Sequence, residues 1–225
     1  PAHRRMMAGD PDAQQIDIEV MQAGRRLIQV TDDGSGIPAD ELVLAVCRHA
    51  TSKLSSAEDM FNIRTLGFRG EALASIGSVS RLTLITNTRQ NPFGAKLTVE
   101  GGAPAEVISI AAAAGTRVSV EDLFYNLPAR LKFLKSDTTE NRHITGLVTR
   151  YALAYPHIRW SMSQDEKPIF QTTGSGKRLE ILQALFGPME AGKLMPLNFE
   201  EHHLKVEGYI SNLSLTRSNR KDITV

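Results

Sequence analysis

Apolar and polar residues alternate at the front of the chain, where Ile16, Ile18 and Val20 take every second place of IDIEV. The run at 27–31 has the same period. Because successive side chains of a strand point to opposite faces, a period of two predicts half-buried strands over 16–20 and 27–31, joined as a hairpin at Ala23-Gly24. The pattern then changes. Leu42, Val43 and Val46 recur at helical spacing with Pro38 near the first turn, which predicts a helix over 40–49. A second helix is expected to start at Gly70 and to carry Ala72, Leu73 and Ile76. Period two returns at 81–87, 95–100, 105–110 and 116–121, with Gly, Pro or Asn turns between. Helices are predicted over 128–134 and 138–153, and strands over 158–163 and 168–172. Runs of antiparallel strands with helices gathered on one side make an α+β sandwich and not a βαβ repeat.

The small polar run Thr172-Thr173-Gly174-Ser175-Gly176 reads as a linker, followed by a helix over 178–186 and strands over 194–199 and 204–211. The expected organisation is therefore a first domain over 1–172 and part of a second over 173–225. Gly176-Lys177 suggests a P-loop, but the upstream Gly is missing and Arg178 stands where Ser or Thr belongs, so that reading is rejected.

With 225 residues, 41% of them hydrophobic and 23% charged, the chain can bury a substantial core. A formal net charge of +1 gives no overall field that commits it to nucleic acid. The single cysteine, Cys47, excludes an internal disulfide and a multi-cysteine zinc site, in keeping with a reducing cytosol. No apolar run approaches the roughly 18 to 20 residues of a membrane span. His202 and His203 are adjacent on an expected strand and point to opposite faces. His49, His143 and His157 are scattered, so no metal site is expected. A start at Pro1 instead of Met reads as the beginning of a fragment.

Two segments carry chemistry. Thr65–Ser75 read TLGFRGEALAS, with Gly67 and Gly70 bracketing Phe68 and Arg69 ahead of an apolar run. A glycine turn that opens a helix aims free N–H groups and the positive end of the helix dipole at one point, which suits phosphate. A plain connecting loop is the alternative. Thr31–Ile37 read TDDGSGI directly after a predicted strand. Asp32, spaced D-x-G-x-G with Gly34 and Gly36, puts an acceptor-only carboxylate where a flat ring could approach, and adenine offers a matching exocyclic amino donor. An ordinary Asp-Gly turn explains the same residues.

Together the two segments resemble the GHKL ATPase superfamily of gyrase, the heat-shock chaperone, histidine kinases and MutL. The match narrows to the MutL family. RHATSK at Arg48–Lys53, TLGFRGEALASI, and DLFYNLPARLKFLK at Asp122–Lys135 are similar to that family in order, spacing and wording, from about Gln14 onward. The resemblance implies a GHKL-type (Bergerat) sandwich of a mixed, mainly antiparallel sheet with helices on one face, then a partial transducer domain of the ribosomal S5 domain 2 type. It implies an ATP-binding and ATP-hydrolysing switch in DNA mismatch repair, with ATP and Mg2+ as cofactors. The implied ATP contacts are Asp32, Gly34, Gly36 and Ile37, then Thr51, Ser52 and Lys53, then Gly67, Phe68, Arg69, Gly70, Glu71, Ala72 and Leu73. Thr116 matches a buried threonine that backs the adenine-binding Asp through a water, although a β-branched strand residue explains it equally. Glu71 reads as a first-turn partner of the helix dipole and not as a catalytic base.

Partners implied by the resemblance are mismatch-containing or single-stranded DNA, a recognition protein of the MutS type and a second copy of the chain, with no membrane, in a bacterial-type cytoplasm near the nucleoid. Arg130, Lys132 and Lys135 are the candidate DNA contacts, Lys135 first, with Arg142 and Arg150 on the next helix. A solvated helix face is the alternative.

The front end departs from the family. Its opening helix carries a glutamate that activates water and an asparagine that binds magnesium, and the alignment puts His3 and Met7 there, with Asp10 at the following turn. Met offers magnesium no hard oxygen ligand. Residues 1–11 look foreign, and the chain stops at Val225 before the family's transducer lysine. The expectation is therefore little hydrolysis by this polypeptide, with a non-hydrolysing nucleotide- or DNA-binding remnant as the alternative function. A signalling kinase domain would need an upstream phospho-accepting histidine helix, which is not in the sequence.

Overall fold

The computed structural model describes residues 13–47, 71–202 and 204–215. The alternation at the front builds the predicted hairpin. Strand β1 (Gln15–Met21) pairs antiparallel with β2 (Leu27–Asp32), and the turn at Gln22–Gly24 closes it. Further on come β3 (Arg81–Asn87), β4 (Gly94–Glu100), β5 (Ala103–Pro104), β6 (Ile108–Ile110), β7 (Gly115–Glu121), β8 (Arg159–Gln164) and β9 (Lys167–Gln171). They form one sheet in the order β5-β4-β3-β7-β2-β1-β8-β9, with β6 beside β5 on the same edge of β4. Every pairing is antiparallel except β1 with β8.

Register explains the sidedness. Met162, Ile18, Val30, Val118, Leu84 and Leu97 lie in one row across six strands, and all are apolar. One residue along, Thr98, Thr83, Ser119, Gln29, Glu19 and Ser163 form a polar row on the other face. A period of two fixes which face meets the core, because a slip of one residue would turn every apolar side chain to water.

The helices cover the apolar face. Helix α1 (Leu42–Val46) and α2 (Ala72–Gly77) pack Leu42, Val46 and Leu73 onto Leu82, Leu84, Leu97 and Val99. Beyond the short α3 (Pro128–Leu131), α4 (Asp137–Ala154) lays Val148 and Ala152 over Ile18, Val20, Trp160 and Met162. Arg25 in the first hairpin grips Asp137 at the start of α4 through two N···O contacts of 2.7 Å. The helix is thereby fixed to the sheet at its first turn.

Helix α5 (Arg178–Phe186) adds Ile181 to the core around Trp160 and Phe170. After α6 (Pro188–Ala191), β10 (Leu194–Glu201) and β11 (Leu204–Ser211) make a separate two-stranded sheet. Among the described residues no helix is long and apolar enough to cross a membrane.

Several bounds differ from expectation. The helix predicted over 40–49 is a 3-10 turn at Ala39–Glu41 followed by α1, and Cys47 leaves it with extended angles (φ −79, ψ 145). The second helix starts at Ala72, because Glu71 lies at its cap and Gly70 falls outside the described residues. Of the strand predicted over 105–110 only β6 forms, with the short β5 just before it, although Ala105 N–H still bonds Thr98 O between them at 2.8 Å. The helix predicted over 128–134 ends at Leu131. His202 sits in the β10–β11 turn and not on a strand. Thr172, placed in the linker by its small polar character, is buried, and its hydroxyl accepts from Trp160 N–H at 2.9 Å.

Candidate functional site

The inward row that ends the central strands is different in kind. It reads Ile16, Asp32, Thr116, Thr86 and Ala95, so three polar side chains replace the apolar residues of the rows behind them. Thr116 and Thr86 are fully buried and Asp32 half-buried. Burying a hydroxyl without a partner is costly, and both hydroxyls are partnered here.

The protons can be assigned by elimination. Thr86 Oγ1 lies 3.0 Å from Gly115 O, an acceptor that can only receive, so the single Thr86 proton goes there. Thr86 Oγ1 in turn accepts from Ile37 N–H at 2.8 Å. Its 3.1 Å contact with Thr116 Oγ1 must then use the Thr116 proton. Thr116 oxygen is left as an acceptor. Beside it Asp32 Oδ1 accepts from Gly34 N–H at 2.9 Å and Thr116 N–H at 3.2 Å. The corner therefore concentrates acceptors, and its chemical complement is a group rich in N–H or a bridging water.

Backbone packing holds this corner rigid. Gly36 has φ +71, and a Cβ built there would stand 2.1 Å from Asn87 O. Gly115 has φ +111, and a Cβ would stand 2.0 Å from Asp32 O. Both glycines let two backbones touch, so the space beside Gly36 is filled by the end of β3. Asp33 serves the frame too, because its Oδ1 accepts from Gln14 N–H at 2.8 Å and Gln15 N–H at 2.9 Å. Asn87 Oδ1 is buried next to this turn with no partner among the described residues.

The structure brings together Asp32, Gly34, Gly36, Ile37 and Thr116, all of them singled out in the sequence. Ile37 and Leu73 lie in one buried cluster, so α2 is seated on the same corner, with Glu71 and Ala72 exposed at its start. Thr51, Ser52, Lys53, Gly67, Phe68, Arg69 and Gly70 lie outside the described residues, as do His3, Met7 and Asp10. Arg130, Lys132 and Lys135 are all exposed, and they lie elsewhere. Asp32 pairs with Thr116 at one end of β7, and the chain reaches these residues from Glu121 at the other end, roughly 17 Å along the strand.

Thr86 was missed in the sequence. A signal existed: in RLTLITN it occupies the inward place after Leu82 and Leu84, where the alternation calls for an apolar side chain.

The comparisons agree with this geometry. The family described as histidine kinase-, DNA gyrase B-, and HSP90-like ATPase matches residues 8–122. A DNA mismatch repair protein MutL of Streptococcus pneumoniae serotype 19F is 44% identical over 96% of this chain, as is the mismatch repair protein HexB of the TIGR4 strain. The chain spans about a third, 33%, of the length of each of these relatives. Among solved structures, the Aquifex aeolicus MutL ATPase domain complexed with ADP is similar at 29% identity and a TM-score of 0.63, over 83% of this chain and 65% of that one. The N-terminal domain of a DNA repair protein superposes with a TM-score of 0.73 at 27% identity, over 88% of this chain and 62% of its own.

Proposed function

Because the chain belongs to the histidine kinase-, DNA gyrase B- and HSP90-like ATPase family, in its MutL branch, we propose that it is the nucleotide-binding part of an ATP-driven mismatch-repair switch. The observation that carries this reading is the acceptor corner of Asp32 and Thr116, backed by Thr86, at the inward end of β2, β7 and β3. Adenine suits it, since its exocyclic amino group donates while a guanine carbonyl at the same place would meet only acceptors. Asp32 accepts from that amino group, and Thr116 oxygen accepts through a water or directly. Gly34, Gly36 and Ile37 hold the turn that aims Asp32. Thr51, Ser52, Lys53 and the segment Gly67–Leu73 with Arg69 then supply amides and cations for the phosphates.

Magnesium enters this reading with the nucleotide. Among the described residues no group of three or more His, Cys, Asp or Glu comes together to hold a cation. The organisation proposed is a nucleotide-binding domain over 1–172 and the start of a transducer domain over 173–225. Mismatched or single-stranded DNA, a MutS-type protein and a second copy of the chain are the partners proposed for the whole protein, with the exposed basic residues Arg130, Lys132 and Lys135 as DNA contacts.

Titration of the 225-residue chain with a nonhydrolysable ATP analogue by calorimetry tests the reading. The expected outcome is saturable binding that D32N abolishes or greatly weakens, with the corresponding GTP analogue much weaker. Equal heats for the two analogues would remove the adenine assignment.

A further inference from the structure

Phe133 is 85% exposed, although burial of its ring would be favourable, and Arg130, Lys132 and Lys135 stand within three residues of it in sequence. It stands on the turn after α3, where Phe133 N–H bonds Arg130 O at 3.1 Å and Leu134 N–H bonds Leu131 O at 3.2 Å. The platform beneath is tied down. Phe124 N–H bonds Val79 O at 2.7 Å, Asn126 Nδ2 bonds Ser78 O at 2.9 Å, and Arg130 lies over the Phe124 ring at 5.9 Å. The aromatic is thus presented by a held turn and not by a loose tail.

Arg130, Lys132 and Lys135 flank it, all exposed, and none makes an ion pair among the described residues. Of the carboxylates that follow in sequence, Asp137 is engaged by Arg25, and Glu140 caps the turn by accepting from the backbone N–H of Lys135 at 2.9 Å without an ion pair to any of the three side chains. An uncovered ring among cations that make no ion pair is complementary to a polyanion that also offers flat faces. Duplex DNA offers the charge but keeps its base faces stacked. Single-stranded DNA offers both, and stacking on an aromatic tolerates any base.

We infer that Phe133 is a base-stacking residue of a single-strand DNA contact, with Arg130, Lys132 and Lys135 holding the phosphates on either side. This rests on the DNA-binding reading above and adds to it the stacking residue that favours a single strand over a duplex. Trp160 is 2% exposed and is the only tryptophan of the chain, so F133W gives a distinguishable reporter at the surface.

The test is fluorescence anisotropy of a labelled dT oligonucleotide and of a labelled duplex with the 225-residue chain, F133A, F133L and F133W across a salt series. F133A is expected to weaken dT binding about tenfold or more, the span that one base-aromatic stack supplies, and to leave duplex binding and the salt slope of the residual affinity unchanged. F133L is expected to fall with F133A. F133W is expected to keep the affinity, with its emission quenched by dT. Unchanged dT affinity in F133A, full affinity in F133L, or equal losses on dT and duplex overturn the stacking assignment while leaving salt-dependent DNA binding in place. If the unsubstituted chain binds neither oligonucleotide at low salt, the DNA reading and this inference fall together.

Discussion

Thr116 N–H donates to Asp32 Oδ1 across the β2–β7 ladder at 3.2 Å, so one oxygen of the carboxylate is aimed by a strand neighbour 84 residues away in sequence. Gly34 N–H holds the same oxygen at 2.9 Å. In D32N the amide oxygen can keep both of these bonds while its nitrogen adds a donor where a donor must be received. Affinity for an ATP analogue is expected to fall about 10- to 100-fold, the range for one unsatisfied buried polar contact, with the urea midpoint almost unmoved. Calorimetry with parallel urea unfolding reads both, and a D32N chain that binds as tightly as the original would show that Asp32 does not contact the base.

Thr86 carries the opposite expectation. Its hydroxyl serves Ile37 N–H, Gly115 O and the Thr116 hydroxyl at once, all within the protein. T86V keeps the shape and strands the buried Ile37 N–H, at a cost of about 1–3 kcal/mol. T86S retains the hydroxyl and loses one methyl, about 0.8 kcal/mol. Urea unfolding of the two variants is expected to place T86V clearly below T86S, and equal midpoints would mean that the hydroxyl network contributes little.

Two glycines with similar backbone angles separate strain from collision. Gly36 (φ +71) faces Asn87 O at 2.1 Å from a built Cβ, whereas Gly176 (φ +81) has nothing within 4 Å. G176A therefore meets only the left-handed penalty, about 1–2 kcal/mol. G36A must in addition push the turn after β2 away from the end of β3, and its loss is expected to exceed that of G176A by at least about 2 kcal/mol. Thermal unfolding of both variants decides the matter, and similar losses would mean that the Asp32 turn moves aside freely.

Much of this architecture is legible because one face of the sheet is wet. Ile18, Val30, Leu84 and Leu97 alternate with Glu19, Gln29, Thr83 and Thr98, and that period of two survives in the sequence. Parallel pairing of β1 with β8 is not legible, because it joins Ile16 to Trp160 across a span that no local pattern records. Short helices were over-read for a related reason. Leu42, Val43 and Val46 give helical spacing, yet α1 stops when Cys47 turns extended, and apolar spacing alone does not mark where a helix ends. At the site, Asp32 and its glycines stand out as a motif, whereas Thr86 looks like any strand threonine until register places it beside Thr116.

Beyond β9, the segment read as a linker is stapled at its far end, and acid should release it. Glu180 on α5 accepts from Ser175 Oγ at 2.7 Å and Thr173 Oγ1 at 2.8 Å, with Lys177 Nζ at 3.5 Å. The Ser175 hydroxyl first, then Thr173 and Lys177, hold the Glu180 carboxyl below its ordinary 4.5. A carboxyl whose pKa is lower in the folded chain than in the unfolded one contributes stability above the unfolded value and loses it as pH falls through the folded value. The staple is therefore complete at neutral pH and opens on acidification below about 4.5, the direction opposite to that of a histidine switch. Carboxyl-resolved NMR titration is expected to show Glu180 titrating below a free glutamate in the original chain and closer to it in S175A, while amide exchange at 173–177 quickens in acid and is already fast in E180Q at neutral pH. If S175A leaves the Glu180 titration where it was, the serine hydroxyl is not what holds that carboxylate, and the segment's order must come from packing of α5 against Trp160 and Phe170 instead.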